Sequence, residues 1–221
     1  MSVLDIWNQA LSAVKARGRL TSLSDRTPEG EVCSQIYPTV LEMVQCAAWW
    51  PACKALARLA LLSESDEEWT EGDPEPGYAF AYALPEGMLH PWHFTDYTPF
   101  SLSYSSTRGR MLLSTNTQSP VLVYARKNED PASWTQGQRQ ATIFALAAHI
   151  ATPLTGSRAM VEQNFQLASR ILEDEQAKAA NAIEPDARPA VPWLAARGFS
   201  VSPRDRFIYP FGAVSVAGVA K

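Results

Sequence analysis

The pair His90-Pro-Trp-His93 is the one place in the chain where two imidazoles lie close enough in sequence to share a ligand. Zinc needs three or four donors, and Cys33, Cys46 and Cys53 lie tens of residues away in helical context. The segment therefore reads as a turn carrying two polar rings, and no metal or other cofactor is called for. Glu64, Asp66, Glu67, Glu68, Glu71 and Asp73 offer carboxylate pairs of the kind that hydrolyse glycosides. That chemistry requires two carboxyls at a fixed separation, one of them kept protonated by burial. A proline-containing acidic loop supplies neither condition. The serines occur in no G-x-S-x-G, and neither a Walker loop nor G-x-G-x-x-G is present. His149 falls within an Ala-rich helical pattern and reads as a satisfied, partly buried polar residue. Arg108-Gly-Arg110 could touch phosphate, although the same residues suit a solvated loop tip. The residue types point to a packing and assembly role, not to an enzyme.

Composition agrees with that reading. The 221 residues are 46% hydrophobic and 19% charged, which suits one sizeable folded core. Net charge is −4, so no overall basic field recruits nucleic acid. The charge is uneven: residues 185–221 hold five bases (Arg188, Arg197, Arg204, Arg206, Lys221) and two acids (Asp186, Asp205), or +3, leaving −7 for residues 1–184. An acidic body with a basic tail suggests that the tail has its own partner. The odd number of cysteines, with no C-x-x-C spacing, reads as reduced buried thiols of a protein made in a cytoplasm. No signal peptide is recognisable, and no apolar run approaches the ~20 residues that span a bilayer, so no membrane partner is expected.

The elements that must position these residues follow from periodicity. Leu4, Trp7, Leu11 and Val14 predict a first helix over residues 1–17. Thr27-Pro-Glu29 predicts the start of a second, with Ile36, Val40, Val44 and Ala47 inward. Pro38 should kink that helix or move its start later, and the helical pattern resumes after Pro51 through Leu59. Residues 63–77 read as an acidic loop. Strands are expected at residues 78–84, 101–104, 110–113 and 120–125, with Gly109 turning a hairpin. Thr135 should cap a helix carrying Ile143, Leu146, Ala147 and Ile150 as far as Pro153. A last helix would carry Met160, Phe165, Ala168, Ile171 and Leu172 and end before Pro185. The expected fold is mainly α, of α+β type: a bundle of about four helices (residues 1–62 and 132–184) interrupted by a small β insertion (63–131).

Residues 185–221 contain too many prolines for a helix and too many aromatics for a free tail. They read as an extended arm. Trp193, Phe199, Arg204, Arg206, Phe207, Tyr209 and Phe211 are its candidate anchors on a partner or a neighbouring copy, since Trp, Tyr and Arg concentrate interface energy. Ala213-Val-Ser-Val-Ala-Gly-Val could add a strand to a partner's sheet edge.

Three motifs in order carry a resemblance. They are Cys33-Ser-Gln-Ile-Tyr37 with Trp50-Pro-Ala-Cys-Lys54-Ala-Leu-Ala-Arg-Leu59, then Tyr78-Ala-Phe-Ala-Tyr82-Ala-Leu-Pro-Glu86, then Leu146-Ala-Ala-His-Ile-Ala151-Thr-Pro-Leu-Thr-Gly156-Ser157. Over residues 2–184 the chain resembles the head-to-tail adaptors of short-tailed bacteriophages, the tail tubular protein A family. It departs from them at Trp49 and Pro51, and the arm has no counterpart there. The resemblance implies a structural virion protein of the head–tail junction. Twelve copies would form a ring between the portal protein and the tail nozzle protein, extending the channel through which genomic DNA leaves without sequence recognition. On that reading the arm faces the portal or a neighbour, and Glu67, Glu68, Trp69, Arg108 and Arg110 face the nozzle. The competing readings are a tail-associated glycan hydrolase and an assembly scaffold that departs before the particle matures.

Overall fold

The computed structural model describes residues 1–16, 18–64 and 74–182. By its contacts the chain divides into Met1–Lys178 and Ala179–Lys221, and of the second unit only the last turn of a helix is described. Four helices and seven strands follow one another in the described residues, which are 45% helical and 23% strand. The expectation of a mainly helical bundle with a small β insertion is therefore corrected. This is an α+β fold in which two antiparallel sheets form a substantial part.

Local chemistry sets the helix ends. Helix α1 (Val3–Ala13) begins with a capping box in which the Ser2 hydroxyl accepts from Asp5 N–H and the Asp5 carboxylate accepts from Ser2 N–H at 2.7 Å. Helix α2 (Pro28–Ala47) begins at the expected place, with Thr27 accepting from Gly30 N–H and Pro28 in the first turn. Gly30 is required there, because a Cβ would stand 2.4 Å from the Asp25 carbonyl oxygen. Pro38 neither ends α2 nor shifts its start. It lies on the exposed face, as does Ser34, whose carbonyl loses the bond that proline cannot donate on the solvent side of the helix. Helix α3 (Gln136–Thr155) has the predicted Thr135 cap and likewise runs past an exposed Pro153, ending at Gly156 with φ +63°. Helix α4 spans Arg158–Ala182.

The helices bury one core. It contains Ile6, Trp7 and Leu11 from α1, Cys33, Val40, Leu41 and Val44 from α2, Leu146 and Ile150 from α3, and Ala168 from α4. Trp7 meets Tyr37 edge to face at 5.8 Å. The expected α4 stripe is wrong at one position. Phe165 is exposed, whereas Asn164 is buried and donates to the Met160 carbonyl at 2.8 Å.

The helical pattern does not resume after Pro51. A single 3-10 turn, Pro51–Cys53, leads into strands β1 (Lys54–Arg58) and β2 (Ala60–Glu64). The remaining strands are β3 (Phe80–Ala83), β4 (Met88–Phe94), β5 (Phe100–Ser105), β6 (Arg110–Thr115) and β7 (Val121–Arg126). One sheet has the order β1-β7-β4 and the other β2-β3-β6-β5. The chain crosses from the first sheet to the second at Leu59, whose N–H bonds the Pro120 carbonyl at 3.1 Å. Leu59, Tyr82, Phe94, Leu113, Leu122 and Tyr124 form the core that joins the sheets. The Tyr82 hydroxyl accepts from Ser119 N–H and donates to the Thr117 carbonyl, so the ring is buried with its polar end satisfied.

A polar staple joins the helical half to the first sheet. Gln45, fully buried on α2, accepts from Asn128 N–H at 3.1 Å, and its amide donates to the Asn128 carbonyl. The Asn128 side chain in turn donates to the Ala52 carbonyl and accepts from the Trp134 indole.

Candidate functional site

Trp49-Trp50 divides its two rings between different jobs. Trp50 is buried in the helical core and its indole donates to the Val44 carbonyl at 2.7 Å, satisfying part of the last turn of α2. Trp49 points to β4, where it stacks on Trp92 (5.5 Å, 25° between planes) and contacts the His93 ring. His93 stacks on Tyr97 at 4.7 Å and 11°. Its Nδ1 lies 2.8 Å from the Phe94 carbonyl, an acceptor only, so Nδ1 carries a proton. Tyr97 holds φ +57°, a conformation strained for an aromatic residue, and is about half exposed. The expected turn with two polar rings is thus a strand, β4, whose rings form part of an aromatic row. His90 is half-buried, and that burial pushes its pKa down.

The reactive side chains are held in inert states. All three cysteines are free, with Cys33 and Cys53 buried and Cys46 half-buried. Burial pushes the Cys33 and Cys53 thiols up to about 11, and Cys46 also upward, so none is a thiolate at neutral pH. His149 is exposed, not partly buried, with Nδ1 2.8 Å from the Ala145 carbonyl. Among the described residues no three His, Cys, Asp or Glu side chains gather into a metal-binding group.

Two shallow grooves are present. One, of about 290 Å³, is lined by Asp5, Asn8 and Arg19, and hydrogen bonds from Ser2 hold the Asp5 carboxyl below its usual range. The other, of about 410 Å³, lies between α3 and α4 and contains Asp174 and Glu175. Lys178 pairs with both carboxylates, at 2.6 and 2.9 Å, and its own pKa is raised by them. Two salt-bridged carboxylates do not form the acid and base of a glycosidase.

The surface that stands out is on the β2-β3-β6-β5 sheet. On its face toward the joining core, Leu102 pairs with Leu113 and Tyr104 with Met111, while Leu61 pairs with Tyr82. The centre is sealed, since Leu113 and Tyr82 are buried. Both margins are open: Tyr104 is 63% exposed, Leu61 49%, Met111 42% and Leu102 38%. The sheet is wider than the layer that covers it. The β5–β6 hairpin turns where expected, with Gly109 at φ +60°, and Arg108 N–H donates to the Ser105 hydroxyl. Arg108 and Arg110 are exposed at the end of this hairpin, and Arg110, opposite Ser105 in the ladder, lies on the other face of the sheet from Tyr104 and Met111.

Of the residues proposed from sequence for the nozzle face, Arg108 and Arg110 therefore sit together on one hairpin, and Glu67, Glu68 and Trp69 lie outside the described residues. The arm anchors Trp193, Phe199, Arg204, Arg206, Phe207, Tyr209 and Phe211 lie outside them as well. Sequence reasoning missed Tyr104, Met111, Leu102 and Leu61. The alternation in Phe-Ser-Leu-Ser-Tyr-Ser at residues 100–105 signals an apolar face, but alternation alone does not say whether that face is covered. The chain matches no protein-family model and no curated protein.

Proposed function

We propose that the chain is a structural subunit of a short-tailed bacteriophage virion: a ring-forming adaptor between the portal vertex and the tail nozzle that extends the DNA channel. The observation that carries this reading is the exposed apolar patch of Tyr104, Met111 and Leu102 on the β5–β6 hairpin, with Leu61 open at the opposite margin of the same sheet. An exposed apolar patch that includes an aromatic residue is what a protein partner covers. The inert cysteines, the salt-bridged Asp174 and Glu175 and the motif order shared with the adaptor family support the same reading. Arg108 and Arg110, at the tip of the β5–β6 hairpin, face the nozzle, and residues 185–221 engage the portal or the neighbouring copy. The ring would be of twelve copies, in the virion tail after synthesis in the host cytoplasm.

The test is the mass of the purified protein, alone and mixed with portal protein. A closed oligomer on the portal is expected. A stable monomer indifferent to portal would overturn the reading.

A further inference from the structure

Three of the four sheet edges carry devices that discourage another strand. The β1 edge bears Lys54 and Arg58, both exposed. The β2 edge is broken by a register shift between Leu61 and Ser63 and ends on Glu64. The β4 edge contains Pro91, which has no N–H to give, and two register shifts. Charges, prolines and bulges are the standard ways of closing an edge to pairing. The fourth edge, β5, has none of them. It is six residues long, Phe-Ser-Leu-Ser-Tyr-Ser, with an unbroken register against β6 and, among the described residues, pairing on that side only. Its outer backbone is an open template, flanked by the uncovered Leu102 and Tyr104.

The occupant is written in the same chain. Strand β5 places Phe100, Leu102 and Tyr104 on one face and Ser101, Ser103 and Ser105 on the other, large against small. In Ala213-Val-Ser-Val-Ala217, Val214 and Val216 share one parity and Ala213, Ser215 and Ala217 the other. The two patterns match in parity and in size. We propose that residues 213–217 of a second copy add to β5 as a fifth strand, with Val214 and Val216 beside Leu102 and Tyr104 and Ser215 opposite Ser103. Pairing Ser215 with Ser103 preserves this match in either strand direction. The segment carries no charge or proline that would oppose pairing. The 30 residues from 183 to 212 reach about 100 Å when extended, enough to pass from one copy to the next. The identity of the donor rests on the ring reading above. In a ring each copy has one open edge and one tail, so the contact repeats head to tail until it closes.

The experiment uses two differently tagged full-length chains, both carrying Cys46→Ser. One also carries Ser103→Cys and the other Ser215→Cys. They are mixed, brought together with portal protein and mildly oxidised, while oligomer mass is measured in parallel. A disulfide between the two tags is expected, at least tenfold above the level when either new cysteine is omitted. Val214→Asp with Val216→Asp should reduce that link at least tenfold, and the double isoleucine variant should keep it. Closed oligomers without a link between chains would overturn the strand exchange while leaving the ring reading standing. So would a link that survives the aspartate pair. Failure to form any oligomer would sink both.

Discussion

Trp50, at the junction of the helical half, is 1% exposed, whereas Tyr104, on the hairpin of the four-stranded sheet, is 63% exposed. Both are large aromatic residues in segments rich in small neighbours. The difference lies in what surrounds them. Trp50 sits where α2, the 3-10 turn and the core of α1 and α3 converge, and its one polar atom is satisfied by Val44. Tyr104 lies on an edge strand, opposite Met111 and outside the core that joins the sheets, so its ring is left exposed. The helical region closes its core around Trp50, although Phe165 on α4 stays exposed. The four-stranded sheet leaves large apolar side chains exposed at its margins, the kind of surface on which the proposed partner would dock.

That contrast can be broken most forcefully at the sealed end. Trp50→Ala should lower the unfolding free energy by about 3–5 kcal/mol, because it opens a cavity and frees the Val44 carbonyl. Denaturant titration of the purified chain measures this, and a loss below about 1 kcal/mol would mean the helical core is not the closed unit described. Gln45→Ala comes next. It leaves Asn128 N–H and C=O without their partner and should remove about 2–3 kcal/mol by the same measurement.

A third test uses pH. The folded-state pKa values of Cys33 and Cys53 are raised by burial to about 11, above the ordinary value of 9.0. Their contribution is therefore fully present below pH 9 and is lost as pH rises toward 11, since the unfolded thiols ionise first. Stability should fall across that window, and Cys33→Ala should flatten the slope. An unchanged slope would place that thiol in contact with water. The smallest effect on stability sharpens the comparison most. Tyr104→Ser with Met111→Ser should alter the unfolding free energy by less than about 0.5 kcal/mol, yet reduce assembly with the partner at least tenfold in sedimentation. Lost stability with intact assembly would reverse the roles assigned to the two regions.

Much of the local architecture was legible in single residues. Thr27 and Thr135 cap the helices they were expected to cap, because a hydroxyl that satisfies a free N–H acts within one turn. Gly109 turns the hairpin because a left-handed conformation is inexpensive for glycine. The missed strands have equally specific reasons. Lys54-Ala-Leu-Ala-Arg58 and Ala60-Leu-Leu-Ser-Glu64 consist largely of good helix formers, and Met88–Phe94 contains a proline. Each is a strand because β7 or β3 offers it a ladder, a partner that arrives from 16 or more residues away. The candidate site was legible only in part. Arg108 and Arg110 were identified as tip residues, while the exposure of Tyr104 and Met111 depends on where the opposing sheet ends.

The sequence by itself determined the helix ends, the hairpin and the alternation of large and small residues along β5, since these are settled by sterics and hydrogen bonds within a few residues. Only the tertiary structure decided that Lys54–Arg58 and Ala60–Glu64 pair as strands, that Trp50 enters the helical core while Trp49 stacks on Trp92, and that the margins of one sheet are left uncovered. Those outcomes depend on contacts between residues far apart in the chain, where burial outweighs the intrinsic preference of any short segment.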